Sequence, residues 1–299
     1  MNRLIRSSSY DPFHNVAVEQ ALFHQPQEGI TLFLWQNAPT VFIGRNQNVY
    51  KETAVDYLAE NDIRLVRRLT GGGAVYQDMG NLNYTFLTKE RAENDALFQA
   101  ILLDAFQSVG ITATFSGRND ITTEGKKFSG QAYLMEDGKY MYHGTILCHV
   151  DMEKLVRAIT PSPLKIQTKA IASVRQRVVN LCEINPSLTI EGMERALHQA
   201  FSHHCGQVQT SLPPAPDENT LKRLRSKEWL FNQSPNFQTQ WEGKVNNQLL
   251  QLEIHNVEGI MQDVVVYSDS LAVDVCETIK KRLIGQPFEH FEQYINEEK

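Results

Sequence analysis

Hydrophobic residues recur along the chain in two periods, which predict amphipathic helices and short strands. The helical period is clearest over Asp95–Val109, and Gly110 stands where such a helix would end. A second amphipathic helix is predicted over Ile190–His204. Nearer the N-terminus, a shorter helix is predicted over Asn15–Phe23, with Asn15 as its cap, and another short helix is predicted to run to Ile159 with Asp151 as its cap.

The predicted strands are short and separated by turn residues. Asp137-Gly138 lies between two of them and is a strong signal for a hairpin. Residues 78–81 predict a second hairpin. The strands are predicted over Thr31–Trp35, Thr40–Ile43, Ile63–Arg68, Ala74–Gln77, Leu82–Thr88, Ile111–Phe115, Phe128–Met135 and Tyr140–Val150. Such connections favour an α+β fold with mixed, mostly antiparallel sheets and flanking helices.

A proline-rich segment, residues 212–217, divides the chain into two predicted domains. Three prolines within four residues cannot continue a helix or a central strand, so a stiff linker is predicted. Residues 1–211 would form a large domain, and residues 218–299 a small α+β accessory domain. In the latter, a helix is predicted near Glu218–Lys227, two strands that turn at Glu258-Gly259, and a last helix over Leu271–Ile284.

Composition is ordinary for a globular protein and narrows the choice of partners. Hydrophobic residues make up 41% of the 299 residues and charged residues 21%, with a net charge of −6. An acidic chain without a basic stripe argues against a nucleic-acid partner. No apolar run approaches the roughly 18 residues of a membrane span. Four scattered cysteines predict reduced thiols in a cytoplasmic protein rather than a disulfide framework or a zinc site.

Three consecutive glycines, Gly71–Gly73, are the most distinctive motif. Such bare backbone has free access to positive φ, and its N–H groups can approach an anion closely. Arg68, three residues earlier, could pair with a phosphate or carboxylate through its fork of donors. The loop fits neither a Walker A nor a Rossmann fingerprint, so any nucleotide would be held in another way. The alternative is a tightly turned surface loop without a ligand.

Further candidates follow later in the chain. Asn119 and Asp120 offer oxygens of the kind that Mg²⁺ accepts. Lys127 could reach the same cleft as the glycine loop and stabilise a developing negative charge without proton transfer. His143 and Thr145 stand inside a predicted strand. The alternative for Lys127 is a solvated hairpin residue, and for His143 a hydrogen-bonded structural residue.

In their order, these motifs resemble those of the lipoate–protein ligase A family, within the biotin and lipoate ligase superfamily. The resemblance is strong over residues 7–205 and weaker beyond them. It is carried by Ser9–Pro12, Asn15, Glu19, Leu34-Trp35, Ile43–Asn48, Arg67–Val75, Ser116–Asp120, Lys127–Tyr133, His143–Thr145 and Ser173–Leu181. Leu69-Thr70 departs from the small-residue pair that is more usual before the glycines, which would alter the shape of a pocket there.

The resemblance implies a biotin/lipoate ligase-like catalytic domain that activates lipoic acid with ATP and Mg²⁺. The acyl group would then pass to a lysine of lipoyl domains, in E2 subunits of 2-oxoacid dehydrogenases or in the glycine-cleavage H protein. ATP and lipoyl-AMP binding is assigned to Arg68, Gly71, Gly72, Gly73, Ala74, Val75, Tyr76, Asn119, Asp120, Lys127 and Thr145. Asp120 is the implied magnesium ligand, and Lys127 the catalytic residue. The implied lipoate pocket comprises Trp35, Thr70, Gly73, Val75, Lys127 and His143. Residues 165–175 resemble the family's adenylate-binding stretch.

The residues suit that chemistry. A carboxylate acylates poorly near neutral pH, and adenylation turns it into a mixed anhydride with a good leaving group. Negative charge builds first on phosphate oxygens and then on the carbonyl oxygen. Lys127, Arg68 and backbone N–H groups can stabilise both charges, so no nucleophile of the enzyme is required.

Other functions stay open on the sequence. An acyltransferase of the same superfamily would move octanoyl or lipoyl groups through a cysteine thioester without ATP, and Cys148 and Cys182 are its candidate nucleophiles. Cys148 falls in an apolar strand, which suits an inert, buried thiol. An inactive lipoyl-binding module is disfavoured by the presence of Lys127, Arg68 and the glycines. A biotin ligase fits the motifs less well, and the choice between lipoate and octanoate is open.

Overall fold

The computed structural model describes residues 1–89, 94–116, 119–159, 177–231, 239–245, 248–257, 260–272, 274–288 and 291–296. The predicted turn Glu258-Gly259 and the predicted adenylate-binding stretch, residues 165–175, lie outside the described residues. So do Gly117 and Arg118 and the first part of the motif Ser173–Leu181.

The described elements alternate irregularly between strands and helices. The strands are β1 Asn2–Arg6, β2 Thr31–Trp35, β3 Thr40–Ile43, β4 Arg64–Arg67, β5 Val75–Gln77, β6 Asn81–Thr88, β7 Thr114–Ser116, β8 Asp120–Thr123, β9 Lys126–Glu136, β10 Lys139–Leu147, β11 Val208–Ser211, β12 Thr239–Val245, β13 Gln248–Val257 and β14 Ile260–Ser268. The helices are α1 Pro12–His24, α2 Val49–Glu52, α3 Val55–Glu60, α4 Asn94–Ser108, α5 Met152–Ala158, α6 Ile190–Cys205, α7 Glu218–Arg225, α8 Lys227–Phe231, α9 Val275–Leu283 and α10 Phe291–Asn296.

An eight-stranded mixed sheet forms the centre of the main body, in the order β11-β1-β2-β6-β10-β9-β8-β7. β1 runs parallel to β11 and β2, and the remaining neighbours are antiparallel. Alternate residues of β2 enter two cores: Leu32 and Leu34 pack with residues of α4 and α6, and Phe33 and Trp35 with residues of α1. Helices on both faces explain why β2 and β6 are buried throughout. The predicted α+β class is confirmed.

The predicted hairpin around residues 78–81 is wrong. β5 pairs with β3 in a separate three-stranded sheet, of order β4-β3-β5, whereas β6 lies between β2 and β10 in the large sheet. Both edges of β6 are therefore occupied, and β5 cannot pair with it. The turn carries the chain from one sheet to the other, and it is closed by the Gly80 N–H, which donates to Asp78 Oδ1 at 2.8 Å.

Helix α1 begins earlier than predicted. Asp11 is its cap, because the Asp11 carboxylate accepts from the Phe13 N–H at 3.0 Å, and Pro12 occupies the first turn. Asn15, predicted as the cap, lies inside the helix and is fully buried. Its amide donates to the main-chain oxygens of Ser9 and Gln36 at 2.9 and 2.8 Å. The helix is thereby fixed against the end of β2.

The hairpin of β9 and β10 is confirmed. Asp137 and Gly138 have φ values of 49° and 69°, the pair of positive angles typical of a type I′ turn. Asp151 caps α5, and the φ of 76° at Gly110 follows the end of α4, as predicted. The hairpin lies beside β6 and β8, so its inner positions reach the centre of the sheet.

The two helices after the linker pack on the main body. Residues 212–217, the predicted linker, have no regular secondary structure. Leu224 of α7 joins the core formed by α1 and the large sheet. Arg67 donates to the main-chain oxygens of Trp229 and Leu230 at 2.9 and 2.7 Å, and the Trp229 indole donates back to the Arg67 oxygen at 2.9 Å. The domain limits 1–211 and 218–299 stay a prediction.

The C-terminal part builds its own core from a three-stranded antiparallel sheet, β12-β13-β14, with α9 and α10. Strands over β13 and β14 and the helix α9 were predicted, and β12 and α10 were not. The end of β14 contacts the main body: the Ser268 N–H donates to the Asn46 oxygen at 2.7 Å. Within the described residues, no helix combines the length and apolarity needed to cross a membrane.

Candidate functional site

A cavity of about 640 Å³, partly open to solvent, lies between α1, the glycine loop and the β8–β10 region. Its apolar surface comes from Val16, Trp35, Phe42, Val75 and Ala132. Cationic side chains, Arg68 and Lys127, also line it, together with the polar residues Glu19, Gln77, Asn83, Asn119, Gln131, His143 and Thr145. A concave apolar surface with a few convergent polar groups is the usual form of a small-molecule site.

Most of the predicted site residues meet at this cavity. Those that line it are Trp35, Arg68, Gly72, Gly73, Ala74, Val75, Asn119, Lys127, His143 and Thr145. Thr70, Gly71, Tyr76 and Asp120 are not among the lining residues. The structure therefore brings together residues that are up to 110 positions apart in sequence, from Trp35 to Thr145.

Arg68 holds the glycine loop from within. Its side chain is buried, its Nη2 donates to the main-chain oxygens of Gly71 and Gly73 at 2.8 Å each, and its Nε donates to Thr70 Oγ1 at 3.0 Å. Burial lowers the pKa of Arg68 to about 10, and the nearby Glu19 carboxylate counteracts that effect, so the guanidinium is charged near neutral pH. The Arg68 N–H groups that were expected to bind an anion therefore bind in large part to main-chain oxygens of the glycine loop itself.

The accessory part of the chain covers one side of the glycine loop. The Gly72 N–H donates to the Ser270 oxygen at 2.8 Å. A Cβ at Gly71 would lie only 1.9 Å from that same oxygen, so glycine is needed for the close approach. Gly72 has a φ of 91°, which a side chain would disfavour. In this conformation, the Gly72 N–H is therefore not available to an anion.

Lys127 and Asp120 form an ion pair at the cavity's edge. Lys127 Nζ lies 2.7 Å from Asp120 Oδ1, and both side chains are 36% exposed. The main chain of Lys127 is anchored as well, since its oxygen accepts from the Val179 N–H at 2.9 Å. Strands β8 and β9 and the segment after residue 177 thus hold Lys127 at the cavity, which Asn119 also lines.

Two predicted residues lie behind the cavity wall. Tyr76 points into the core that includes Val41 and Leu147, where burial raises the pKa of its hydroxyl. Thr70 is buried, and its hydroxyl lies 2.9 Å from His143 Nε2. Successive residues of a strand point to opposite faces, which separates Tyr76 from its neighbour Val75, a residue of the same strand that lines the cavity. Thr70 supports the cavity through His143.

Sequence reasoning assigned no role to Glu19, although it lies at the centre of the site. It occupies the buried face of α1, and Glu19 Oε1 lies 2.8 Å from His143 Nδ1 and 2.6 Å from the Thr85 hydroxyl. A carboxylate among apolar residues of a helix rarely stays buried without partners. That signal, present at Glu19 between Val16 and Leu22, could have identified it.

The residues around Asp120 do not form a multidentate metal site by themselves. Among the described residues, a group of three possible ligands occurs at Asp104, His203 and His204, on α4 and α6. None of these three lines the cavity. Asp120 brings one carboxylate, which Lys127 already contacts. Such a donor set fits a magnesium ion that is bound mainly by substrate phosphates, as is usual for Mg²⁺.

The fold and the cavity define a protein that can bind a small molecule with an apolar body and an anionic end. A family model described as the lipoyl protein ligase A/B catalytic domain matches residues 11–202. The chain belongs to this family, and the predicted resemblance is confirmed. The family comprises ligase and transferase enzymes of lipoyl attachment, and the matched residues include all those that line the cavity.

Solved structures agree with this assignment. LipL1 of P. falciparum, in complex with lipoate, is 26% identical, covers 98% of this chain and 94% of its own, and has a TM-score of 0.83. A bipartite lipoate protein ligase from Thermoplasma acidophilum, studied with its E2 lipoyl domain, is 24% identical, with coverage of 80% and 99% and a TM-score of 0.70. Lipoate-protein ligase A bound with ATP is 23% identical, with coverage of 77% and 98% and a TM-score of 0.67. The last two likenesses show the fold alone.

Proposed function

We propose that this protein is a lipoate–protein ligase, which activates lipoate with ATP and attaches it to a lysine of lipoyl domains. The observation that carries the proposal is the cavity itself, whose surface is largely apolar and which Arg68 and Lys127 line beside the glycine loop. Its walls suit an aliphatic chain, and its cationic residues suit a carboxylate and phosphates.

The similar structures support each substrate separately. LipL1 of P. falciparum holds lipoate, and ligase A holds ATP. The Thermoplasma ligase is described with an E2 lipoyl domain, which supports lipoyl domains as acceptors. By the same reasoning, we include E2 subunits of 2-oxoacid dehydrogenases and the glycine-cleavage H protein among the proposed acceptors.

In the first proposed step, a carboxylate oxygen of lipoate attacks the α-phosphorus of ATP and pyrophosphate leaves. Lys127 and Arg68 bring positive charge to the cavity where negative charge grows on the phosphate oxygens. In the second step, the acceptor amine attacks the acyl carbon, AMP leaves and the nitrogen loses a proton. Trp35 and Val75 hold the acyl chain, so that positioning supplies much of the rate.

Asp120 is the protein group that we propose for Mg²⁺, with Asn119 toward the nucleotide. Mg²⁺ supplies charge neutralisation for the phosphates when it is bound. Asp120 has a second role that needs no metal: at 2.7 Å it orients the Lys127 ammonium group toward the edge of the cavity. The proposed role of Lys127 therefore depends on its ion pair with Asp120.

Mass spectrometry of a lipoyl domain tests the proposed function directly. After incubation with protein, lipoate and ATP, the acceptor should gain the mass of one lipoyl group. Omission of ATP should abolish the gain, because the free carboxylate is not activated. A gain from an acyl-carrier donor without ATP would instead assign the chain to the transferase branch of its family.

Changing Cys148 and Cys182 together to serine should leave ATP-dependent attachment within about threefold of wild type. Among the described residues that line the cavity there is no cysteine. Burial raises the pKa of the Cys148 thiol to about 12, and burial also raises the pKa of Cys182. A thiol of this kind is a poor nucleophile near neutral pH. Attachment is measured by the same mass gain, and loss of activity in a folded double variant would favour a thioester route.

A further inference from the structure

A buried line of hydrogen bonds runs from the acyl side of the cavity to His143. The Trp35 indole donates to Thr85 Oγ1 at 3.1 Å, and the Thr85 hydroxyl donates to Glu19 Oε1 at 2.6 Å. The same carboxylate oxygen lies 2.8 Å from His143 Nδ1. Thr85 is fully buried and Glu19 is 3% exposed. Glu19 Oε1 thus lies between the Thr85 hydroxyl and the His143 ring.

The line continues from His143 to the glycine loop. His143 Nε2 lies 2.9 Å from Thr70 Oγ1, which also accepts from Arg68 Nε at 3.0 Å. Arg68 in turn binds the main-chain oxygens of Gly71 and Gly73. Five side chains therefore connect Trp35 in the acyl pocket with the loop proposed to hold the nucleotide.

When Glu19 is ionised and the His143 ring is neutral, the chemistry of these groups fixes the direction of each hydrogen bond. The indole of Trp35 and the guanidinium of Arg68 can only donate, and the Glu19 carboxylate can only accept. His143 must therefore carry its proton on Nδ1, where it donates to Glu19. Its Nε2 is then an acceptor, and the Thr70 hydroxyl donates to it while accepting from Arg68. The opposite tautomer would place two acceptors against each other at 2.8 Å.

We propose that Glu19 and Thr85 are positioning residues for the adenylation step: they fix the tautomer of His143, which fixes Thr70, Arg68 and the glycine loop. This inference rests on the proposed ATP-dependent function. Neither Thr85 nor Thr70 lines the cavity, so both act through other residues. Glu19 also balances the buried charge of Arg68, which would otherwise stand uncompensated in a medium of low polarity.

Because these hydrogen bonds are buried, the position of each side chain depends on its partners in the line. A buried donor or acceptor that loses its partner is destabilising, so the position of each member constrains the next. A hydroxyl lost at Thr85 frees the Glu19 carboxylate to turn, and a hydroxyl lost at Thr70 disconnects His143 from Arg68. Displacement of the loop by about 1 Å suffices to slow a positioned reaction by about 100-fold.

Valine variants at the two threonines test the inference, because valine keeps the volume and removes the hydroxyl. Thr85→Val and Thr70→Val should each lower the turnover of lipoate-dependent pyrophosphate release by about tenfold or more, with the KM for lipoate changed less than about threefold. Thr85→Ser and Thr70→Ser restore the hydroxyl and should recover most of the turnover. Thermal melts show whether each variant is folded.

The double variant separates a connected line from two independent effects. Thr70 and Thr85 are joined through His143 and Glu19, so the Thr85→Val/Thr70→Val variant should lose about as much turnover as the worse single variant. Losses that multiply would overturn the inference. So would serine variants as impaired as the valine variants, or a change in the KM for lipoate alone.

Nitrogen NMR of labelled histidine gives a readout that does not depend on turnover. In the resting protein, the His143 signals, assigned with His143→Gln, should show a protonated Nδ1 and an unprotonated Nε2. Glu19→Gln should remove this preference, because a neutral amide can also donate to Nδ1. A protonated Nε2 in wild type would overturn the inference. If wild type made no adenylate while the NMR result held, the proposed function would fail and the positioning geometry would stand.

Discussion

Replacement of Lys127 by alanine is expected to lower lipoate-dependent pyrophosphate release by about 100-fold or more. Lys127 lines the cavity, and its ammonium group is held at 2.7 Å by Asp120. Alanine removes the positive charge and leaves the Asp120 carboxylate alone, so the field at the cavity becomes unfavourable for a carboxylate and for phosphates. The measurement is the initial rate of pyrophosphate release at saturating lipoate and ATP.

Lys126→Ala is the matched control for this variant. Lys126 is the neighbouring residue of β9, it is not among the cavity-lining residues, and its loss changes the net charge equally. The control should keep most of the wild-type rate. A Lys127→Ala variant that releases pyrophosphate at nearly the wild-type rate would remove Lys127 from the proposed catalytic role.

Gly72→Val is expected to weaken the binding of ATP by at least about tenfold. Gly72 has a φ of 91°, where a β-branched residue costs about 1–2 kcal/mol or more. Its Cβ would also lie 3.0 Å from Arg68 Nη2 and 3.3 Å from Leu271 Cδ2. The loop must therefore shift, and about 1.4 kcal/mol corresponds to a tenfold change in affinity. Calorimetric titration with ATP measures the effect.

Gly138→Val separates local strain from an effect on the site. Gly138 has a similar φ of 69°, lies in the turn between β9 and β10, and a Cβ there would meet nothing within 4 Å. This variant should lose stability and keep its affinity for ATP. Unchanged ATP affinity in Gly72→Val would exclude the glycine loop from the nucleotide site.

Local features of the fold were predictable because they depend on neighbouring residues. The Asp137-Gly138 turn, the Asp151 cap and the end of α4 at Gly110 all follow from backbone preferences over a few positions. Pairing of β5 was not predictable in this way, since it depends on which strands already occupy both edges of β6. β1 and β11 were not predicted for a related reason: both strands are short, and they are stabilised by hydrogen bonds to strands that are distant in sequence.

The candidate site was also predictable only in part. Order along the chain was enough to bring Arg68, Asn119, Lys127 and Thr145 together as candidates, and the structure places them around one cavity. The sequence could not show that Arg68 is occupied by carbonyl groups of its own loop, or that Ser270 takes the N–H of Gly72. Both facts depend on how segments distant in sequence close on the loop.

The contact between Arg67 and α8 affects the stability of a protein truncated after the main body. Arg67 is 1% exposed, and its guanidinium uses the main-chain oxygens of Trp229 and Leu230 as acceptors. A protein that ended at residue 211 would keep a buried cation and remove these acceptors, at a cost of about 1–3 kcal/mol for each unsatisfied donor. We therefore expect a protein that ends at residue 231 to be more stable than one that ends at residue 211. The helices after the prolines belong energetically to the body that precedes them.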